Sequence, residues 1–166
     1  MKFTVSSPLA ADMFRHGAEG FPAESCGFLV GRWDGENAVL SEVVRGQNTK
    51  SDERNDYFEI DPRQYNQVEK ELRGTGKQIL GFYHSHPNHP DIPSFTDLSF
   101  AQGWPGFLWT IIQVVEATAV TMHTYILSDD GQRFVRVETV IERLLPPDSK
   151  RDAYLRMEAE LAIGNG

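Results

Sequence analysis

The chain has 166 residues, 40% of them hydrophobic and 24% charged, enough apolar content for the core of one domain and too much for a globally disordered chain. Sixteen lysines and arginines face 24 acidic residues, a net charge of −8, so the overall field repels a phosphate backbone and argues against nucleic acid as a partner. The single cysteine, Cys26, excludes an intramolecular disulfide framework and a four-thiolate zinc site. It fits a reducing, cytoplasmic location, and neither a membrane-spanning run nor a signal-peptide core is visible.

In chain order, Ser7-Pro8 predicts a helix start, with Leu9, Ala10, Met13, Phe14 and Ala18 on one stripe and Gly20 closing it. The expectation is a domain that opens on this amphipathic helix. Cys26 to Trp33 and Ala38 to Val44 read as two strands joined by an Asp34-Gly35 hairpin turn. Residues 47–56 are polar and aperiodic, a surface loop, followed by a brief extended piece from Tyr57 to Ile60. Asp61-Pro62 predicts a second helix through Tyr65, Val68 and Leu72, ended by Gly74 and Gly76. Gln78 to Tyr83 is a strand that runs into His84-Ser85-His86-Pro87, and Ser94-Phe95-Thr96-Asp97 has the form of a capping box opening a short helix. Strands over Phe107–Val115, Val120–Leu127 and Phe134–Val140 complete a mixed sheet with helices, an α/β fold. Residues 1–145 form the domain, and a helical tail over 146–166, with Tyr154, Leu155, Met157 and Leu161, belongs to it.

His84 and His86 are two residues apart on a strand, so their side chains leave the same face and can converge on one ion. Asp97 returns on the first turn of the following helix. Two imidazoles and one carboxylate suit Zn²⁺, and three protein ligands leave the fourth tetrahedral position open, which is the mark of a catalytic rather than a structural site. Such an ion lowers the pKa of bound water to about 7 and polarises a carbonyl, so hydrolysis of a peptide or amide follows without a protein nucleophile.

The string His84-Ser85-His86-Pro87, then Pro93-Ser94 and Asp97, resembles the JAMM motif of the JAMM/MPN+ zinc metalloproteases, H-x-H-x7-S-x2-D. The segment from Pro22 to Gly31, with Glu24 ahead of its strand, is similar to that family's upstream glutamate segment. The resemblance implies an MPN fold, a single mixed β-sheet flanked by helices with cytidine-deaminase-like topology. It implies one catalytic Zn²⁺ held by His84, His86 and Asp97, with Glu24 as general base and proton shuttle and Ser94 as hydroxyl donor to the oxyanion. Members of the family cleave peptide or isopeptide bonds at the C-terminal Gly-Gly of ubiquitin or ubiquitin-like proteins, whose tail binds as an added strand. This compact chain resembles the stand-alone prokaryotic members, which implies a ubiquitin-like sulfur-carrier protein as substrate and partner, relieved of a C-terminal cysteine or short extension.

Two other readings compete. An isopeptidase acting on ubiquitin-like conjugates uses the same site, and a non-catalytic MPN scaffold would carry a damaged motif, whereas all five positions are present here. A zinc nucleoside deaminase needs Cys-x-x-Cys, which one cysteine excludes. His89 and Asp91 read as a solvated loop, His16 and His123 as surface or satisfied core residues, and Cys26 as a small buried apolar group. Phe100, Phe107 and Trp109 are assigned to the core; Trp33, Tyr57 and Phe58 have no assigned role. The oligomeric state is not readable.

Overall fold

A computed structural model of the protein describes residues 1–50 and 56–143. Its elements are β1 (Lys2–Ser6), α1 (Ser7–Gly20), β2 (Cys26–Asp34), β3 (Asn37–Arg45), α2 (Pro62–Leu72), β4 (Gln78–Pro87), α3 (Phe95–Ala101), β5 (Leu108–Val115), β6 (Thr118–Leu127) and β7 (Phe134–Glu142). All the expected strands and helices up to residue 143 are present; the expected helical tail lies outside the described residues.

The chain does not open on its helix. Lys2–Ser6 is a strand with Phe3 and Val5 buried and Lys2, Thr4 and Ser6 more exposed, the period-2 pattern of a half-buried strand. It pairs parallel with β3 on one side and β7 on the other, and this second pairing closes the mixed sheet in the order β1-β3-β2-β4-β5-β6-β7. The sheet is flanked by helices as expected, but it is curled into a barrel.

Alternation along the strands divides the apolar side chains between two cores. On one face, Tyr83 and Leu29 pack with Phe3, Val5 and the α1 residues Ala10 and Met13. On the other, Phe28, Phe82 and Trp109 pack with Val68 of α2 and Ala101 of α3. Arg45 at the end of β3 ties α1 to the sheet through Asp12 (2.9 Å) and Glu19 (2.7 Å).

β4 lies between antiparallel β2 and parallel β5, so the histidine-bearing strand is braced on both sides. Gly81 makes that bracing possible. It sits opposite Leu108, and a Cβ there would collide with the Leu108 carbonyl oxygen, a backbone atom that cannot rotate away. Gly81→Ala is expected to destabilise the protein by about 3 kcal/mol, the upper part of the usual overpacking range, seen as a lower denaturation midpoint in urea.

Candidate metal centre and cleft

β4 carries the two histidines out at its C-terminal end. Phe82, His84 and His86 alternate onto the face covered by α2 and α3, while Ser85 turns to the other side and accepts the Ser25 N–H at 2.8 Å. The antiparallel register places Cys26 opposite His84, and continuing it by two residues brings Glu24 beside His86. The Glu24 Oε1 to His86 Nε2 distance is 3.9 Å. Asp97 arrives from α3, where the expected capping box is present: Ser94 Oγ accepts the Asp97 N–H at 3.1 Å and Asp97 Oδ2 accepts the Ser94 N–H at 2.7 Å.

The five residues singled out in the sequence therefore meet at one place. His84 and His86 Nε2 atoms are 3.0 Å apart, Asp97 Oδ1 is 3.1 Å from the first and Asp97 Oδ2 is 3.3 Å from the second. Glu24, His84, His86 and Asp97 are all buried. Glu24, His84 and His86 are close enough to form a cation-binding group, and Asp97 touches both imidazoles.

A metal fits this donor set. A tetrahedral ion with Zn–N bonds of about 2.0–2.1 Å spaces its nitrogens by roughly 3.3 Å, close to the separation seen between the two Nε2 atoms. His86 Nδ1 lies 2.7 Å from the Pro90 carbonyl oxygen, an acceptor only, so Nδ1 carries the proton and Nε2 keeps its lone pair. His84 is oriented differently. Its Nδ1 is buried with no hydrogen-bond partner among the described residues, and its ring is held by face-to-face stacking on Phe58, centroids 4.4 Å apart.

The electrostatics follow from burial. Desolvation lowers the His84 pKa, opposed by Asp97 and reinforced by His86. For His86, desolvation also pulls down, but hydrogen bonds to Asp97 and Pro90 outweigh it and raise the value. Burial disfavours the Asp97 anion, yet the two imidazoles and the Ser94 amide hold its pKa well below the usual carboxylate range. Metal binding requires neutral imidazole and ionised carboxylate; the shifts of His84 and Asp97 favour that state, whereas at His86 an ion has to displace the proton that its carboxylate and carbonyl neighbours favour. Cys26 is fully buried, and desolvation followed by the nearby Glu24 charge pushes its thiol up to about 12, so it is an unreactive apolar group, as read from the sequence.

The cluster forms one wall of a cleft of about 360 Å³, whose other walls include Tyr57, Phe58, His89, Ile92, Ser94 and Phe100. Several of these were missed or misassigned in the sequence. Tyr57 and Phe58, without a role there, line the cleft. His89, read as loop, lines it too. Asp91, also read as solvated, is buried, and His123 contacts it. Asn48, in the polar loop, donates from Nδ2 to the carbonyl oxygens of Glu24 (3.0 Å) and Tyr57 (2.9 Å), which fixes two sides of the cleft relative to each other. The only local sequence signal for that role is asparagine's ability to bond backbone in both directions.

Comparison with known proteins agrees with the geometry. A family model described as prokaryotic homologs of the JAB domain matches residues 6–127, which include all five site residues. The chain is 37% identical over 98 residues to the desampylase of Haloferax volcanii, covering 58% of this chain and 68% of that one. It is 34% identical over 90 residues to the desampylase of Pyrococcus furiosus, covering 54% and 59%, so the match spans somewhat over half of that protein's length. A solution structure of a protein from Desulfitobacterium hafniense superposes with a TM-score of 0.74 at 28% identity, covering 87% of this chain and 95% of that one. With more than half its length matched and its motif residues gathered at one cleft, the chain belongs to the prokaryotic JAB-domain family, the compact branch of the JAMM/MPN proteins.

Proposed function

We propose that the protein is a zinc-dependent hydrolase that cleaves the peptide or isopeptide bond following the C-terminal Gly-Gly of a ubiquitin-like protein. The observation that carries this reading is the convergence of Glu24, His84, His86 and Asp97 at the wall of an open cleft. In it, His84, His86 and Asp97 hold the ion. When bound, zinc supplies a Lewis acid for the scissile carbonyl and makes a water molecule acidic near neutral pH.

The chain's own residues supply the rest. Glu24 takes the proton of the attacking water and returns it to the leaving nitrogen, which a carboxylate facing the donor cluster is placed to do. Ser94 Oγ serves its helix cap as an acceptor, so its hydroxyl proton remains available to the oxyanion that develops on the scissile carbonyl. Asn48 and Ser85 keep the Glu24 segment in register with β4. Ser94→Ala is expected to lower kcat by roughly 10²- to 10³-fold, the cost of one oxyanion donor, whereas loss of the cap alone costs about 1 kcal/mol of stability. Steady-state rates beside a denaturation curve separate the two.

The closed sheet bears on how a tail would enter. Among the described residues each of the seven strands has neighbours on both sides, so an extended tail cannot simply extend the barrel. Among the segments bordering the cleft is the extended piece Asp56 to Phe58, which leads into an isolated bridge, Asn48↔Ile60, outside the named strands. A tail lying against it would run along the cleft past the Phe58–His84 stack, toward Ser94 and Asp97.

Similarity to two desampylases supports a conjugate as substrate, and a free carrier with a C-terminal extension presents the same Gly-Gly tail. Intact-mass analysis of ubiquitin-like carriers, each extended beyond Gly-Gly by cysteine or a short peptide, beside carriers joined to lysine, tests both. Cleavage ending at Gly-Gly with zinc-loaded wild type and not with Glu24→Gln is the expected result. Absence of cleavage from every substrate by zinc-loaded protein overturns the proposal.

A further inference from the structure

The loop between β4 and α3 is gripped by groups that the mechanism above does not use. Its Pro90 carbonyl oxygen is the acceptor for His86 Nδ1–H. The next residue, Asp91, is 8% exposed and is held twice from β6. Tyr125 donates its hydroxyl to the Asp91 main-chain carbonyl at 2.9 Å. His123 Nδ1 lies 2.5 Å from the Asp91 carboxylate, a close polar contact without the alignment of a full hydrogen bond.

His123 and Tyr125 are two residues apart on a strand, so they present to one face, the same device that brings His84 and His86 together on β4. The strands are not neighbours: β5 lies between them. The start of the loop is fixed to the end of β5, where the Asn88 N–H donates to the Val114 carbonyl at 2.6 Å and Asn88 Oδ1 accepts the Glu116 N–H at 3.0 Å. Proline at 87, 90 and 93 restricts φ along it. A carboxylate is costly to bury unless it is partnered, and here the partnered carboxylate immediately follows the peptide oxygen that fixes the His86 proton.

We propose that Asp91, His123 and Tyr125 are positioning residues that lock the Pro90–Asp91 peptide against His86 and so set the tautomer and ring orientation of that imidazole. The proposal rests on the reading of His86 as a metal ligand. Outer partners of a ligating histidine typically contribute 10- to 100-fold in metal affinity, and this one is reached through one peptide unit.

The test measures zinc and cobalt(II) affinity by chelator competition in wild type, Asp91→Ala, Tyr125→Phe, Asp91→Ala/His123→Ala and His86→Ala. It is accompanied by the ring ¹⁵N shifts of His86 in the metal-free proteins. Expected are loss of binding in His86→Ala, a 10- to 100-fold weakening in Asp91→Ala, and a several-fold weakening in Tyr125→Phe. The double variant should fall no further than Asp91→Ala alone, because the two groups act as a unit. Wild type should hold the Nδ1–H tautomer, and the clamp variants should show a mixture. If Asp91→Ala and Tyr125→Phe bind metal within twofold of wild type and keep the Nδ1–H tautomer, the clamp is wrong and the metal reading stands. If His86→Ala binds metal like wild type, the metal reading fails and the clamp with it. Should Asp91→Ala not fold, Tyr125→Phe, which keeps the ring and removes one hydroxyl, decides on the same two readouts.

Discussion

Glu24→Gln is expected to bind zinc with wild-type affinity and to lose turnover by about 10²- to 10⁴-fold, the contribution of a positioned general base. The substitution keeps the shape of the side chain and replaces an ionised oxygen by an amide that cannot take up a proton at neutral pH. Glu24 is buried and stands 3.9 Å from His86 Nε2, farther than either Asp97 contact, so it faces the ion site without closing it. Chelator competition and steady-state rates on the same preparation check the two halves of the prediction. Unchanged turnover would remove Glu24 from the mechanism; loss of zinc with loss of turnover would make it a ligand and reopen the question of the base.

The second large effect is expected from His86→Ala. The variant should lose both activity and zinc, because one of the three proposed protein ligands disappears and the Pro90 carbonyl loses its donor at the same time. Metal that binds only the folded state stabilises it by about 4 kcal/mol at a thousandfold excess over Kd. Wild type should therefore melt at higher temperature when zinc is added, and His86→Ala should not. The zinc-free variant should still fold, since His86 lines the cleft and the large apolar side chains Phe82 and Trp109 stay in place in the core. A zinc-dependent rise in melting temperature that survives in His86→Ala would place the metal elsewhere.

Much of this site was legible before the structure, for a physical reason. Two histidines two apart on a strand and an aspartate inside a capping box are local patterns, and local patterns constrain side-chain direction directly. Glu24 was legible only through family resemblance, because what brings it to His86 is the β2–β4 register, a pairing between distant segments. The remaining features depend on tertiary contact and left weaker traces. Phe58 stacks on His84 across a loop and a strand, and Asp91 finds its partners on β6; neither spacing is periodic. Strand β1 did leave a trace, in the alternation of Phe3 and Val5, but five residues before a strong helix start are easily absorbed into the helix. Without it the mixed sheet was expected, but not the pairing that closes it.

That closure also sets an order of events for a chain leaving the ribosome. The first strand made must wait for the last described strand, because Lys2–Ser6 pairs with Glu138 to Glu142. Every residue of the metal cluster has been synthesised by Asp97, yet at about 5–20 residues per second several more seconds pass before β7 is complete. During that interval histidines and carboxylates share a nascent chain whose α1-side core still lacks Val137. Contacts this distant in sequence form slowly, so capture of the proposed zinc is expected to follow closure of the sheet, as a step of the finished domain.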